Sequence, residues 1–324
     1  LHHTAFEFSL AGPDGEPIDL WRTCMSHGLT ELPPMRLDAA ARALEITLPV
    51  KGSRPRLIRI SEARPGTGIA RIIGPKPGPR VIQGVVAAAR HVLRLDEPLS
   101  AFYALAVDDV ELAWACAGAG RLIRSPTVFE DVVKTVCTTN CSWALTRRMV
   151  TGLVEHLGER APGAPRRGWI GRAFPTAAAM AEARPSFYKR VVRAGYRGPY
   201  LLALARQVAR REIDLEPLGR RPGLPGALSD DDVAERLLEL PGVGPYAAAH
   251  IMMLLGRYSR LVFDSWTRPA FVRLSGRRRP VTDRTIERRF RPYGRYAGLA
   301  FWLYLTRRWV EDVVPMSTVS RGKM

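Results

Sequence analysis

The stretch Leu240-Pro241-Gly242-Val243-Gly244-Pro245-Tyr246-Ala247-Ala248 is followed, eighteen residues after Tyr246, by Asp264 in Leu261-Val262-Phe263-Asp264-Ser265-Trp266. Its residues predict a tight joint between two helices. Ser229 caps the leading helix and Asp232, three residues on, completes a capping box. That helix runs through Val233 to Glu239 and stops at Pro241. Gly242 and Gly244 permit a turn with no side chain in the way, and Pro245 suits the first position of the next helix. Ala247, Ala248 and Ala249 leave room for a close neighbour. Glycines ahead of a helix N-terminus expose backbone N–H groups, so a phosphate can approach closely. The plainer alternative is an ordinary joint between two helices.

Working outward, the 324-residue chain has a formal net charge of +18, almost wholly from arginine. Only Lys51, Lys76, Lys134, Lys189 and Lys323 are lysines. A polyanionic partner is the expectation, with simple solubility as the alternative. No run of apolar residues is long enough to span a membrane. Leu1-His2-His3 lacks the charged-then-apolar pattern of a secretion signal and is set aside from the fold as a trimmed or added end. Cys24, Cys116, Cys137 and Cys141 form no CxxC, which argues against a disulfide framework and fits a reducing cytoplasm. Cys137 and Cys141 could share a helical face, but two further ligands are not in sight, so no metal is expected there.

Strand signals occupy residues 5–10, 43–49, 56–61 and 69–73, with Leu44, Ile46 and Leu48 alternating as in a half-buried antiparallel strand. Gly74-Pro75-Lys76-Pro77-Gly78-Pro79 marks a boundary, after which the period lengthens to that of helices. Helical patterns follow at 81–95, 97–106, 127–137, 143–157, 173–183 and 197–212. The predicted class is α+β: a small antiparallel sheet domain over residues 1–80, then a mainly helical domain over 81–324 with its hairpin at 229–256.

Residues 240–264 resemble the helix-hairpin-helix plus Gly/Pro/Asp signature of the DNA glycosylases that include endonuclease III, adenine glycosylase, 8-oxoguanine glycosylases and 3-methyladenine glycosylase II. The likeness extends to Ser125-Pro126-Thr127-Val128-Phe129-Glu130, leading into Val136-Cys137-Thr138-Thr139-Asn140, which is similar to that family's wedge loop. Tyr296-Ala297-Gly298 and the apolar run after it resemble its C-terminal pocket helix. The resemblance implies a base-excision repair enzyme acting on double-stranded DNA with a damaged base, a monomer in the cytoplasm, nucleoid-associated if the source is bacterial. Gly242, Val243 and Gly244 would hold a phosphate, with room for a structural monovalent or divalent cation at that contact.

Breaking an N-glycosidic bond builds positive charge on the deoxyribose, and a carboxylate stabilises it and can activate water. The resemblance gives that role to Asp264; capping a helix is the alternative, and the two are compatible. Strand-cutting members place a lysine where this chain has Tyr246, so base removal without lyase activity is implied. The four-cysteine iron–sulfur cluster of some members is not expected, since no cysteine follows Cys141, and no other cofactor is required.

By the resemblance Tyr246, His250, Trp266, Phe301 and Trp302 would line the base pocket, with core packing as the alternative for His250, Trp266 and Phe301. Asn140 aligns with the wedge that fills the space left by a flipped base; a turn residue is the alternative. Arg147, Arg148 and the eleven arginines between Phe271 and Trp309 would face the DNA backbone or simply solvent. Phe301 falls where 8-oxoguanine glycosylases read guanine with glutamine. An aromatic there suits an alkylated base, and the N-terminal sheet with Ile18-Asp19-Leu20-Trp21-Arg22 to Leu37-Asp38 resembles alkylbase glycosylases, which together favour a 3-methyladenine-type base over an oxidised purine. A non-catalytic damage-binding protein is the reading from a different class.

Overall fold

A computed structural model describes residues 4–309; the reading of Leu1-His2-His3 and that of Lys323 lie outside the described residues. The N-terminal part is a five-stranded antiparallel sheet in the order β1-β5-β4-β3-β2. Its strands are β1 (Thr4–Ser9), β2 (Met35–Asp38), β3 (Ala43–Val50), β4 (Ser53–Arg64) and β5 (Thr67–Ile73). Register brings Ile46 opposite Ile58, and Ile58 opposite Ile72, so β-branched side chains stack across three strands.

Helices α1 (Leu20–Cys24), α2 (Pro79–Val92), α3 (Ser100–Ala106), α4 (Val128–Thr138) and α5 (Trp143–Leu157) come next, with α1 inserted between β1 and β2. Then follow α6 (Ala177–Glu182), α7 (Pro185–Phe187), α8 (Arg197–Ala209), α9 (Asp230–Leu238) and α10 (Pro245–Leu254). The described chain closes with α11 (Thr267–Leu274), α12 (Asp283–Phe290) and α13 (Ala297–Thr306). This is the predicted α+β arrangement of a small sheet and a larger set of helices.

Two local expectations need correction. Strand β3 is not half-buried: Glu45 and Thr47, on the face opposite Leu44, Ile46 and Leu48, are buried as well. Arg36 and Arg59, opposite Glu45 on the two flanking strands, both bond its carboxylate. Strand β2 went unread because Met35 and Leu37 give too short an alternation to register as a strand by itself. It is a strand because β3 offers it a pairing edge, Leu37 opposite Leu44.

Strands give way to helices between Ile73 and Pro79, while the apolar core of the sheet continues into Val85, Ala89 and Val92 of α2 and on to Ile123. The helical part has two cores. One gathers α4, α5, α8 and α9; the other gathers α3, α11, α12 and α13. Helix α10 lies between them, giving Ala247, Ala248 and Ile251 to the first and Met253 to the second. A helix apolar on all sides has to be buried on all sides, and this central position fixes what lies at its N-terminal end.

Candidate active site

The hairpin forms as the residues dictate. Ser229 Oγ accepts from the Asp232 N–H at 3.0 Å and the Asp232 carboxylate reaches back to the Ser229 N–H at 3.3 Å, a complete capping box. Gly242 has φ +80°, a left-handed conformation that favours glycine, and an added Cβ would sit tight, 3.1 Å from the Tyr200 side chain. The N–H groups of Gly242 and Gly244 have no acceptor among the described residues. Val243 differs: its N–H donates to Leu240 O at 3.1 Å and its side chain is buried. Of the three residues assigned to phosphate, only the glycines therefore keep free amides.

Beside the hairpin opens a cavity of about 660 Å³. Tyr246 and His250 face it from α10, Asp264 and Trp266 from the loop before α11, Trp302 from α13 and Asn140 from the loop after α4. Sequence positions far apart thus converge on one space. Phe301, expected there, does not line it. Its ring lies 5.3 Å from Phe290 and 5.7 Å from Phe263, inside the second helical core. The reason is helical geometry: neighbours on α13 point about 100° apart, so Trp302 meets the cavity while Phe301 turns inward.

Asp264 holds the N-terminus of α11. Its Oδ1 accepts from the N–H groups of Trp266 at 2.8 Å and Thr267 at 2.6 Å, and its own N–H donates to Thr267 Oγ1 at 2.8 Å. Oδ2 accepts no hydrogen bond from the described residues. One oxygen is thus anchored to the backbone and the other is available to a ligand.

The aromatic wall is continuous. Ring centroids are 5.8 Å apart for Tyr246 and His250, 6.4 Å for His250 and Trp302, and 5.8 Å for Trp302 and Trp266. Burial pushes the Tyr246 phenol up to about 12, so it stays protonated at neutral pH. Burial lowers His250 to about 4, against a smaller opposing pull from Asp264, so its imidazole is neutral. Neither ring nitrogen of His250 has a partner among the described residues, although the residue is only 8% exposed. An unpaired buried imidazole of this kind suits a pocket whose occupant supplies the missing hydrogen bond.

Asn140 adopts φ +44°, a left-handed conformation that asparagine tolerates, and stands exposed at the cavity rim. Its Nδ2 donates to the Tyr196 hydroxyl at 3.4 Å. Arg147 and Arg148 are exposed on α5. Among the C-terminal arginines, Arg289 pairs with Asp109 and Arg307 with Glu111, while Arg273, Arg277, Arg278 and Arg279 are exposed.

Three residues that the sequence did not single out belong to the site. His27 lines the cavity from the sheet side, donating through Nε2 to Ile123 O, and burial lowers it to about 3. Tyr196 lines the cavity mouth and is 53% exposed. Arg197 is buried and bonds both the carbonyl and, at 3.3 Å, the hydroxyl of Thr139, fixing the loop that presents Asn140. The usable signal was Gly195-Tyr196-Arg197, an exposed aromatic beside a cation just ahead of a helix.

Among the described residues no lysine lines the cavity. Lys134 is fully buried in an ion pair with Glu130 at 2.6 Å, and Lys189 is exposed beyond α7. Among the described residues no group of three or more His, Cys, Asp or Glu side chains could hold a metal ion.

This architecture is that of known DNA glycosylases. The chain matches a 3-methyladenine DNA glycosylase from Archaeoglobus fulgidus with a TM-score of 0.70 and 18% identity, over 94% of this chain and 99% of that one. MBOgg1 bound to a low-affinity DNA ligand matches with a TM-score of 0.69 and 16% identity, over 95% and 99%. The apo 8-oxoguanine glycosylase/lyase of Clostridium acetobutylicum matches with 0.64 and 18% identity, over 86% and 93%. No protein-family model matches the sequence, and no curated protein does. The fold read from residues 240–264 is thus the glycosylase fold over nearly the whole chain.

Proposed function

We propose that this protein is a monofunctional DNA glycosylase that flips an alkylated, 3-methyladenine-type base into the cavity and hydrolyses its N-glycosidic bond. The observation that carries this reading is the position of Asp264, with one free carboxylate oxygen, on the wall of an aromatic cavity beside the hairpin turn. The neighbours in fold, which include a 3-methyladenine DNA glycosylase, support it.

In this mechanism the amides of Gly242 and Gly244 hold a backbone phosphate and Asn140 fills the gap left by the flipped base. As the C1′–N bond breaks, its electron pair goes to the base and positive charge builds on the sugar. Asp264 stabilises that charge and takes a proton from the water whose oxygen bonds C1′. The products are an abasic site and the free base. Tyr246 cannot form the covalent imine that a lysine would, so no strand cleavage follows.

Alkylated purines are favoured by the lining itself. Tyr246, Trp266, Trp302 and Trp143 surround the space, and among the described residues Asp264 is its only carboxylate and no lysine or arginine lines it. A cationic base is attracted by such a wall and leaves readily without protonation. The protein is proposed to act as a cytoplasmic monomer on double-stranded DNA, without an iron–sulfur cluster or other required cofactor. The test is single-turnover excision from duplexes carrying 3-methyladenine, 7-methylguanine or 8-oxoguanine, followed by alkali to reveal abasic sites. Release of methylated purines, with strand breaks only after alkali, is expected. Release of 8-oxoguanine alone would overturn the substrate assignment, and no release from any duplex would overturn the enzyme.

A further inference from the structure

A second cleft, of about 410 Å³, lies apart from the catalytic cavity. It is enclosed by the end of α2, the segment 122–125, the loop 219–224 and the end of α10. Its lining sets five guanidiniums, from Arg90, Arg94, Arg124, Arg220 and Arg221, against two carboxylates, Asp96 and Glu97. Both carboxylates are already engaged. Asp96 pairs with Arg90, and Glu97 pairs with Arg94 at 2.7 Å. Arg94 is buried and fixed by the carbonyls of Leu122 and Leu254, so it forms a rigid cationic floor.

Arg124 is the exception. Its Nε donates to His91 O at 2.9 Å, but its two terminal nitrogens find no acceptor among the described residues. Burial and the neighbouring Arg94 push its guanidinium down to about 10. Burial, with Arg124 and Arg94, lowers His91 to about 3. Cations crowded into a partly dehydrated cleft carry an unfavourable field that an anion would relieve. Arg221 adds a further guanidinium at the rim, where it is exposed and held by Asp96 O at 2.8 Å.

We propose that this cleft binds a small phosphate-bearing ligand, its phosphoryl oxygens shared by Arg124, Arg90 and Arg221. The planar guanidinium fork matches phosphate oxygens in pairs, and the volume falls within the range of small-molecule sites. Leu224 and Leu255 give the remainder of such a ligand an apolar wall. The cleft shares no lining residue with the catalytic cavity. The backbone between them serves both: Ile123 O accepts from His27 on one side and Leu122 O from Arg94 on the other. This inference is independent of the glycosylase reading.

The test is calorimetric titration of the full chain with inorganic pyrophosphate at fixed ionic strength. A parallel arm measures binding of an undamaged duplex by fluorescence anisotropy. Saturable binding of one pyrophosphate is expected, weakened about tenfold or more by Arg124→Gln or Arg221→Gln. Arg278→Gln, exposed and outside the cleft, should leave pyrophosphate binding unchanged. Arg221 lies at the rim, so its replacement tests the site even if Arg124→Gln fails to fold. Absence of saturable binding, or equal weakening by Arg278→Gln, overturns the proposal. Loss of duplex affinity in the cleft variants without any pyrophosphate binding also overturns it, and assigns the arginines to the DNA backbone instead.

Discussion

Asp264 caps a helix with one oxygen and, in the proposed function, acts on the sugar with the other; a pair of substitutions separates the two tasks. Oδ1 caps α11 through the Trp266 and Thr267 amides, whereas Oδ2 is free to act on a sugar. Asp264→Asn keeps a carbonyl oxygen for the cap and removes the charge. Asp264→Ala removes both. A helix cap contributes about 1 kcal/mol, so the alanine variant should melt lower by roughly 2 °C and the asparagine variant by less. Electrostatic stabilisation of a developing charge contributes about 3–4 kcal/mol, so both variants should lose roughly a hundred- to a thousandfold in single-turnover excision. Differential scanning fluorimetry, the excision assay and anisotropy on an abasic-analogue duplex report the three quantities separately. DNA affinity should hold in Asp264→Asn. If that variant excises at the wild-type rate, Asp264 is a cap and nothing more, and the chemistry lies elsewhere.

Borohydride should trap no adduct of the wild type with DNA, whereas Tyr246→Lys should yield one on gels; efficient trapping of the wild type would refute hydrolysis by water alone. Arg197→Ala strips two hydrogen bonds from Thr139 and should destabilise the chain by about 1–3 kcal/mol in urea titrations while lowering excision, since the Asn140 loop loses its anchor. His250 titrates near 4 folded and near its ordinary value unfolded, so the unfolded state binds the extra proton and stability falls as pH drops from about 6.5 toward 4. Between pH 7.5 and 5 the His250→Phe variant should lose about 2 kcal/mol less stability than the wild type in paired denaturant melts; equal losses would place the imidazole in contact with water. Phe301→Ala should cost about 3–5 kcal/mol through a cavity in the core, yet leave the ranking of excised bases unchanged.

The hairpin was legible because its causes are local. A cap three residues from its partner, two glycines and a proline act within one turn of chain, and Trp143–Leu157 likewise begins and ends where its period and Ser142 cap dictate. The pocket was legible only in part. Tyr246 and His250 share a face by helical spacing, but a count from Gly298 could not tell Phe301 from Trp302, because adjacent residues diverge once a helix is buried on all sides. The roles of His27 and Arg197 were not legible for a different reason, although Gly195-Tyr196-Arg197 marked the place of the latter. Each acts through a backbone carbonyl far away in sequence, Ile123 and Thr139, and no periodicity encodes such a contact. Strand β3 misled in the same way, since arginines on both neighbouring strands engage Glu45 on the face that alternation assigned to solvent.

The segment from Ser26 to Glu31 leaves the sheet region and is stitched into the helical part at several points. Ser26 O accepts from Trp302 Nε1 at 2.7 Å, Ser26 Oγ accepts from the Ile123 N–H at 3.0 Å, and Glu31 accepts from Trp143 Nε1 at 3.1 Å. His27, Gly28 and Leu29 between those stitches form one side of the cavity. For anyone trimming or recombining this protein, the sheet is consequently not a detachable accessory. A shortened chain starting at α2 would lack one side of its own cavity, and a chimaera that exchanges the first eighty residues exchanges part of the cavity wall with them.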